Sequence, residues 1–350
     1  MPATSLEKKI AQMLMIGFDG YHIEKNHQIA EAVSKYNLGG VVLFDLEQKD
    51  YQLKNIKSPR QVQKLIKDLQ SLSKQKLLIG IDYEGGQVNR LKKEYGFPQT
   101  YCHKYFGDLN DVSFTYEQSL LMASTLSELG INLNLAPVVD LNRNPENPII
   151  GKKERSFSQN PEVVISHAGQ FIKAHAKSGI LACIKHFPGH GSSTSDSHLG
   201  FVDVTETWSD IELLPYKKLI SEDNVDCIMT AHVFCRNIDP SYPATLSKVF
   251  SDEILRGELG FKGVIISDDL NMAAIKNNYA FEESLQLAIN AGVDILLISY
   301  NENYKEKLFI NLIKIIKSLV EEGSISKERI HESFNRVSAL KNKLKRAEYN

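Results

Sequence analysis

Eight short apolar, β-branched runs recur along this chain, and amphipathic helical stretches separate most of them. The runs are Leu14 to Phe18, Gly40 to Phe44, Leu77 to Asp82, Ile131 to Asp140, Leu181 to His186, Cys227 to His232, Gly263 to Asp268 and Val293 to Ser299. Their apolarity is continuous rather than alternating, which marks strands covered on both faces, as in a parallel sheet. Ser58 reads as an N-cap, with Pro59 at the first helical position and Gln61 completing a capping box. Val62, Leu65, Ile66, Leu69 and Leu72 then mark one helical face. Tyr116 to Leu129 follows the same logic before a stop at Gly130. Ile330, Phe334, Val337 and Leu340 make a last amphipathic helix, with a charged tail expected to fray from Lys341 onward. Strand-plus-helix units with no Pro/Ser-rich linker predict an α/β chain folded as one closed (β/α)8 TIM barrel, a single domain over residues 1–350. The rival, an open doubly wound sheet, lacks a Gly-rich fingerprint after the first strand.

A length of 350 residues admits one large domain or two ordinary ones, and 42% hydrophobic residues suffice for a sizeable core. A formal net charge of −2 gives no pull toward nucleic acid or acidic membranes, so neither is expected as a partner. Met1 to Phe18 mixes Glu7, Lys8, Lys9 and Gln12 into its apolar positions, unlike a signal peptide, and no apolar run reaches membrane-spanning length. Cys102, Cys183, Cys227 and Cys235 are scattered and form no C-x-x-C pair, so all four read as reduced thiols. These features predict a cytoplasmic protein, expected to be a monomer.

A barrel concentrates its chemistry at the C-terminal ends of its strands, and the polar residues fall there. The third run leads into Asp82, Glu84, Gly85, Gly86 and then Arg90. The fourth leads into Asp140, Asn142 and Arg143, with a long loop to Arg155. The fifth leads into Lys185, His186, Pro188, Gly189, His190 and Gly191, followed by Asp196 and His198. The sixth ends at His232 and the seventh at Ser267, Asp268 and Asp269. On an extended strand one of Asp268 and Asp269 points inward, and the other serves as a cap for the next helix. Asp196 and His198, two apart, share a side in extended chain. A carboxylate there orients an imidazole and favours its protonated form, which makes a general acid/base. Read alone, the pair equally fits a solvated loop histidine beside an acid. His186, His190, Asp196, His198 and His232 could also ligate zinc, but no H-x-H follows the first strand and no H-E-x-x-H occurs. No metal and no cofactor are expected.

The run Lys185-His186-Phe187-Pro188-Gly189-His190-Gly191, continued by Asp196-Ser197-His198, resembles the signature of bacterial β-N-acetylglucosaminidases of glycoside hydrolase family 3. Ile81-Asp82-Tyr83-Glu84-Gly85-Gly86 with Val88 and Arg90 looks like the family's strand-three motif, and Arg155-Ser156-Phe157 like its arginine loop. Met229-Thr230-Ala231-His232, Pro243-Ala244-Thr245-Leu246-Ser247, Leu255-Arg256-Gly257 and Gly260-Phe261 fit later segments. Gly263 through Met272, containing Ser267-Asp268-Asp269, looks like the nucleophile region. The resemblance implies Asp268 as nucleophile, His198 as acid/base and Asp196 as its partner. It implies that Asp82, Arg90, Arg155, Lys185 and His186 hold the terminal sugar, and that His232 lines the pocket. It further implies a retaining exo-β-N-acetylglucosaminidase that removes N-acetylglucosamine from peptidoglycan fragments, anhydro-muropeptides, in cell-wall recycling, without a cofactor. Two positions depart from the pattern. Lys152-Lys153-Glu154 makes a slightly long spacer before Arg155, and Ser192 follows Gly191 where an acid is common. The nearest alternatives are a family 3 β-glucosidase or β-xylosidase, an N-acetylglucosaminide phosphorylase, a metallohydrolase and a catalytically silent sugar-binding barrel.

Overall fold

The computed structural model describes residues 4–24, 27–46, 54–197, 200–299 and 308–347. Each of the eight apolar runs contains a strand. The strands are β1 (Leu14–Gly17), β2 (Gly40–Leu43), β3 (Leu78–Ile81), β4 (Leu133–Asn134), β5 (Leu181–Phe187), β6 (Cys227–Thr230), β7 (Val264–Ile266) and β8 (Leu296–Ile298). They pair in parallel in the order β7-β6-β5-β4-β3-β2-β1-β8. The ring closes between its outer strands through a parallel bridge from Ile266 to Ile295 and a 2.9 Å bond from Ser267 N–H to the Ile295 carbonyl. Helices surround the sheet, giving the TIM barrel that the sequence predicts.

Side-chain alternation sorts the apolar residues into two layers. Met15, Val42, Leu78, Leu133, Leu181, Cys183, Met229, Val264, Ile266 and Leu297 fill the barrel interior. Leu14, Ile16, Val41, Leu43, Ile79, Ile184, Ile228 and Ile265 face outward and pack under the helices. Gly40 and Gly80 are inward positions that leave room for Met15. A Cβ on either would come within 2.9 Å and 3.1 Å of its side chain, respectively.

Local signals set the helix ends. Ser58 Oγ accepts from Gln61 N–H at the start of helix Pro59–Leu72, while the Gln61 side chain reaches past it to the Lys57 N–H. The helix expected from Tyr116 begins at Val112, because Asp111 accepts from the Ser113 and Phe114 N–H groups, and it ends at Gly130 with φ 83°. The last helix runs Lys327–Ala347 and does not loosen at Lys341. Lys341 is buried, with Nζ 2.8 Å from Gln12 Oε1, and Leu340 and Leu344 join the interior core. This helix therefore crosses the N-terminal end of the barrel. All four cysteines are free thiols. Among the described residues, no helix is long and apolar enough to cross a membrane.

Candidate active site

Continuing the inward alternation past the C-terminal ends of three strands gives the first polar residues of the mouth. Leu78 and Gly80 lead to Asp82, Leu181 and Cys183 lead to Lys185, and Val264 and Ile266 lead to Asp268. The three charges lie over one place, since all act on the buried Cys183 thiol below them. Burial, with the Asp82 and Asp268 charges adding to it and Lys185 opposing, holds that thiol far above its ordinary value.

A chain of ion pairs and hydrogen bonds lines this mouth. Lys185 Nζ lies 2.7 Å from both Asp82 Oδ1 and Glu84 Oε1. Arg155 holds Glu84 bidentately, with Nε 2.8 Å and Nη2 2.7 Å from the two carboxylate oxygens, and Nη2 also lies 3.1 Å from His186 Nε2. His186 Nδ1 sits 2.7 Å from Asp140, which also accepts from the His190 N–H at 2.8 Å. At the other end Arg90 bridges Asp82 at 3.3 Å and Asp45 at 3.4 Å, with its guanidinium over the Phe44 ring. Burial alone would raise the Asp82 carboxyl, but Lys185 and Arg90 outweigh it and hold the group below its ordinary value. Glu84, despite burial, is held well below the carboxylate range by Arg155 and Lys185. Lys185 in turn is raised, because Asp82 and Glu84 overcome its own desolvation. Asp82, Glu84 and Lys185 are thus all charged at neutral pH.

Exposure divides its members. The side chains of Glu84 and Lys185 are 1% and 2% exposed, whereas Asp82 and Arg90 keep 17% and 26%. Asp82 and Arg90 are therefore the open edge of the network, and Glu84, Lys185, Arg155 and His186 hold that edge in place. The longer spacer before Arg155 is absorbed in a turn with Glu154 at φ 56°, and Arg155 still enters the mouth.

At β7 the two acids separate as alternation requires. Asp269 is buried and accepts from the backbone N–H groups of Asn271 and Ser299 and from the Ser299 hydroxyl, fixing the turn after the strand. Asp268 is half-buried, and its Oδ1 accepts from the Asp269 N–H at 2.8 Å. His232 is buried between Thr245 Oγ1, 2.8 Å from Nδ1, and the Asp269 carbonyl, 3.0 Å from Nε2, so both ring nitrogens are engaged within the protein. Asp196 is half-buried in the loop after β5. His198 lies outside the described residues.

That loop is built by close packing. A Cβ on Gly191 would stand 1.7 Å from the Leu141 carbonyl oxygen, and one on Gly189, at φ +123°, would stand 2.6 Å from a Glu212 oxygen. His190 is buried between Ser193 and Ser197, and burial pushes its imidazole down to about 4. Two members of the site have weaker sequence signals. Glu84 was placed at the mouth without a role, and its spacing of two from Asp82, which puts both on one side, could have given it one. Glu212 comes from a distant segment with no motif around it. Among the described residues, no group of three His, Cys, Asp or Glu side chains is arranged to hold a metal ion.

Residues 5–340 match the glycosyl hydrolase family 3 N terminal domain. A "Beta-hexosaminidase A" from Pseudoalteromonas piscicida is 33% identical over 341 residues, which is 91% of this chain and 55% of that protein. A "Beta-hexosaminidase" from Tolumonas auensis is 36% identical over 293 residues, 82% of this chain and 83% of that one. Among solved structures, a family 3 β-N-acetylglucosaminidase from Paenibacillus sp. superposes with a TM-score of 0.89 at 34% identity, over 98% of this chain and 63% of the other. A β-N-acetylhexosaminidase from Beutenbergia cavernae gives 0.85 at 27% identity, over 98% and 100%. The chain thus spans little more than half the Pseudoalteromonas protein and the whole of the Beutenbergia one. A barrel matched from end to end, carrying its charges at the expected strand ends, belongs to glycosyl hydrolase family 3.

Proposed function

We propose that this chain is a retaining exo-β-N-acetylglucosaminidase acting on terminal β-linked N-acetylglucosamine in peptidoglycan fragments. The observation that carries the reading is the position of Asp268. It is the inward acid of its pair, half-buried at the end of β7, on the same mouth as Asp82 and Lys185. The β-hexosaminidases and β-N-acetylglucosaminidases similar to this chain supply the sugar class.

Most retaining glycosidases use two carboxylic residues about 5–5.5 Å apart. Here the second member is His198, oriented by Asp196. His198 gives its proton to the glycosidic oxygen as an Asp268 oxygen attacks the anomeric carbon, so the C–O bond to the leaving group breaks and a glycosyl ester forms. Neutral His198 then takes a proton from water, the hydroxide displaces Asp268, and the β configuration is restored. Asp82 and Arg90, held by the buried charges behind them, accept from and donate to the sugar hydroxyls.

The test is hydrolysis of nitrophenyl β-N-acetylglucosaminide beside the β-glucoside, in wild type, Asp268→Ala and His198→Gly. Activity on the acetamido sugar that disappears in Asp268→Ala, and a His198→Gly rate down roughly 10²–10⁴-fold, is the expected result. A normal His198→Gly rate on a glycoside whose leaving group needs protonation removes that residue from catalysis. Hydrolysis of the glucoside alone moves the substrate, and silence on both in folded protein favours a binding barrel.

A further inference from the structure

Behind the active-site strand lies a second concavity. A cavity of about 300 Å³ opens on the outer face of the barrel, between the segment Pro98 to Tyr101 and the helix Val112–Leu129. Its volume is at the small end of the range for ligand pockets. Tyr83, the residue between Asp82 and Glu84, belongs to its lining. Where those two acids face the mouth, Tyr83 faces the opposite way.

Three observations describe what could occupy this cavity. First, it carries an exposed aromatic face. Tyr101 is 39% exposed and braced from behind by Tyr105, stacked at 4.6 Å, with Phe106 and Phe114 against its flank. Such a pre-set ring offers a flat apolar surface at little cost in side-chain freedom. Second, the lining is rich in uncharged hydrogen-bonding groups: Gln99, Thr100, Gln118, Ser124 and Thr125. Glu128 is its acid, and no Lys, Arg or His contributes, so an anionic ligand has nothing to pair with. Third, the Tyr83 hydroxyl is fully buried with Thr125 beside it but makes no hydrogen bond of ordinary geometry, an arrangement that ordinarily costs free energy. Burial also keeps that phenol protonated, with its pKa pushed up to about 12.

We infer that this cavity is a secondary carbohydrate site, taking a neutral pyranose ring whose C–H face stacks on Tyr101 and whose hydroxyls meet the amide and hydroxyl lining. A pyranose has the one apolar face and the equatorial ring of donors and acceptors that this lining complements. The site is separate from the mouth but shares the strand that carries Asp82 and Glu84. It does not depend on which glycosidic bond the mouth cuts. A single stacked ring with a few solvent-competing hydrogen bonds binds weakly, roughly in the millimolar range.

Fluorine NMR of the full chain labelled with fluorotyrosine tests this, with N-acetylchitotriose as probe and Asp268→Ala as the non-turning-over background. The Tyr101 resonance, assigned by its loss in Tyr101→Phe, is expected to shift saturably with added sugar. Leu121→Trp fills the cavity mouth from a position that is 63% exposed and tolerant of change. It is expected to weaken the apparent affinity by roughly ten-fold or more, while hydrolysis by the otherwise wild-type enzyme stays normal. A Tyr101 resonance that does not move overturns the inference. So does a shift that survives Leu121→Trp, or one that glycerol reproduces at equal concentration. Loss of nitrophenyl-glycoside hydrolysis in the wild type bears on the mouth alone and is read separately.

Discussion

Two buried charge clusters sit at opposite ends of this barrel. At the N-terminal end, Asp294, two residues before β8, is wholly buried and saturated. It accepts from Arg256 at 2.7 Å, Arg329 at 2.6 Å, Arg336 at 3.0 Å, the Ser333 hydroxyl at 2.8 Å and the Ile265 N–H at 3.1 Å. Arg329 and Arg336 lie on the last helix, so this one carboxylate ties that helix to the base of the barrel. At the mouth, one chain of contacts runs from Asp140 through His186, Arg155, Glu84 and Lys185 to Asp82 and Arg90. That chain ends on two side chains still partly open to solvent. Burial of charge is common to both ends. What separates a fastening from a site is whether the hydrogen-bonding capacity is used up inside the protein.

The comparison breaks most readily at the base. Asp294→Ala leaves three guanidinium groups facing one another, and removal of one partner from a buried ion network typically costs about 3–5 kcal/mol. For a chain of this length that is a fall in Tm of roughly 4–7 °C, checked by calorimetry. kcat/KM of the folded variant, measured well below its Tm, is expected to stay normal. Lost activity with unchanged Tm would reverse the assignment of the two ends. At the mouth, Asp82→Ala leaves Lys185 paired with Glu84 and Arg90 paired with Asp45, so stability should suffer less than at Asp294. Under the proposed function a charged contact to the sugar is lost instead, and kcat/KM should fall roughly a hundred-fold, about 2.7 kcal/mol. Steady-state kinetics beside a thermal melt separates the two effects.

This difference explains what could be read from the sequence. The barrel was legible because eight continuous apolar runs, each spaced by a helix, leave few other ways to bury them. Asp82, Lys185 and Asp268 were legible because period-two alternation carries each one to the inside. Alternation allows one of Asp268 and Asp269 to face inward, the resemblance chose Asp268, and Asp269 holds the turn after the strand rather than capping the next helix, whose N-cap is Met272. The last helix was misjudged from its charge density. Lys341 reads as a solvated tail residue, yet Gln12, more than three hundred residues away, gives it a buried partner. The saturation of Asp294 was likewise invisible, since Arg256, Arg329 and Arg336 come from segments whose local patterns say nothing of one another. The packing role of Gly189 and Gly191 was equally hidden, since Glu212 and Leu141, which press against their backbones, come from other segments.

Glu212 sharpens the comparison, because it is a buried acid fastened to neither cluster. Its side chain lies beneath Gly189, only 1% of the residue is exposed, and neither oxygen makes a hydrogen bond of ordinary geometry. Burial is the main cause that raises its pKa to about 7, with the Asp140 charge adding to it, while Ser192, the Gly191 N–H and Arg143 pull weakly the other way. An unfolded chain releases this proton near 4.5, whereas the folded chain holds it to about 7. Stability is therefore lost as pH climbs from 4.5 to 7 and is level above that. Glu212→Gln keeps the shape and removes the titration. Its Tm should stay near wild type at pH 5 and exceed it at pH 8 by roughly 3–4 °C, corresponding to about 2–3 kcal/mol. A gain of equal size at both pH values would mean that Glu212 is already ionised in the fold, with a cation or water to hold it. The acid beneath the β5 loop would then belong with Asp294, as a third fastening.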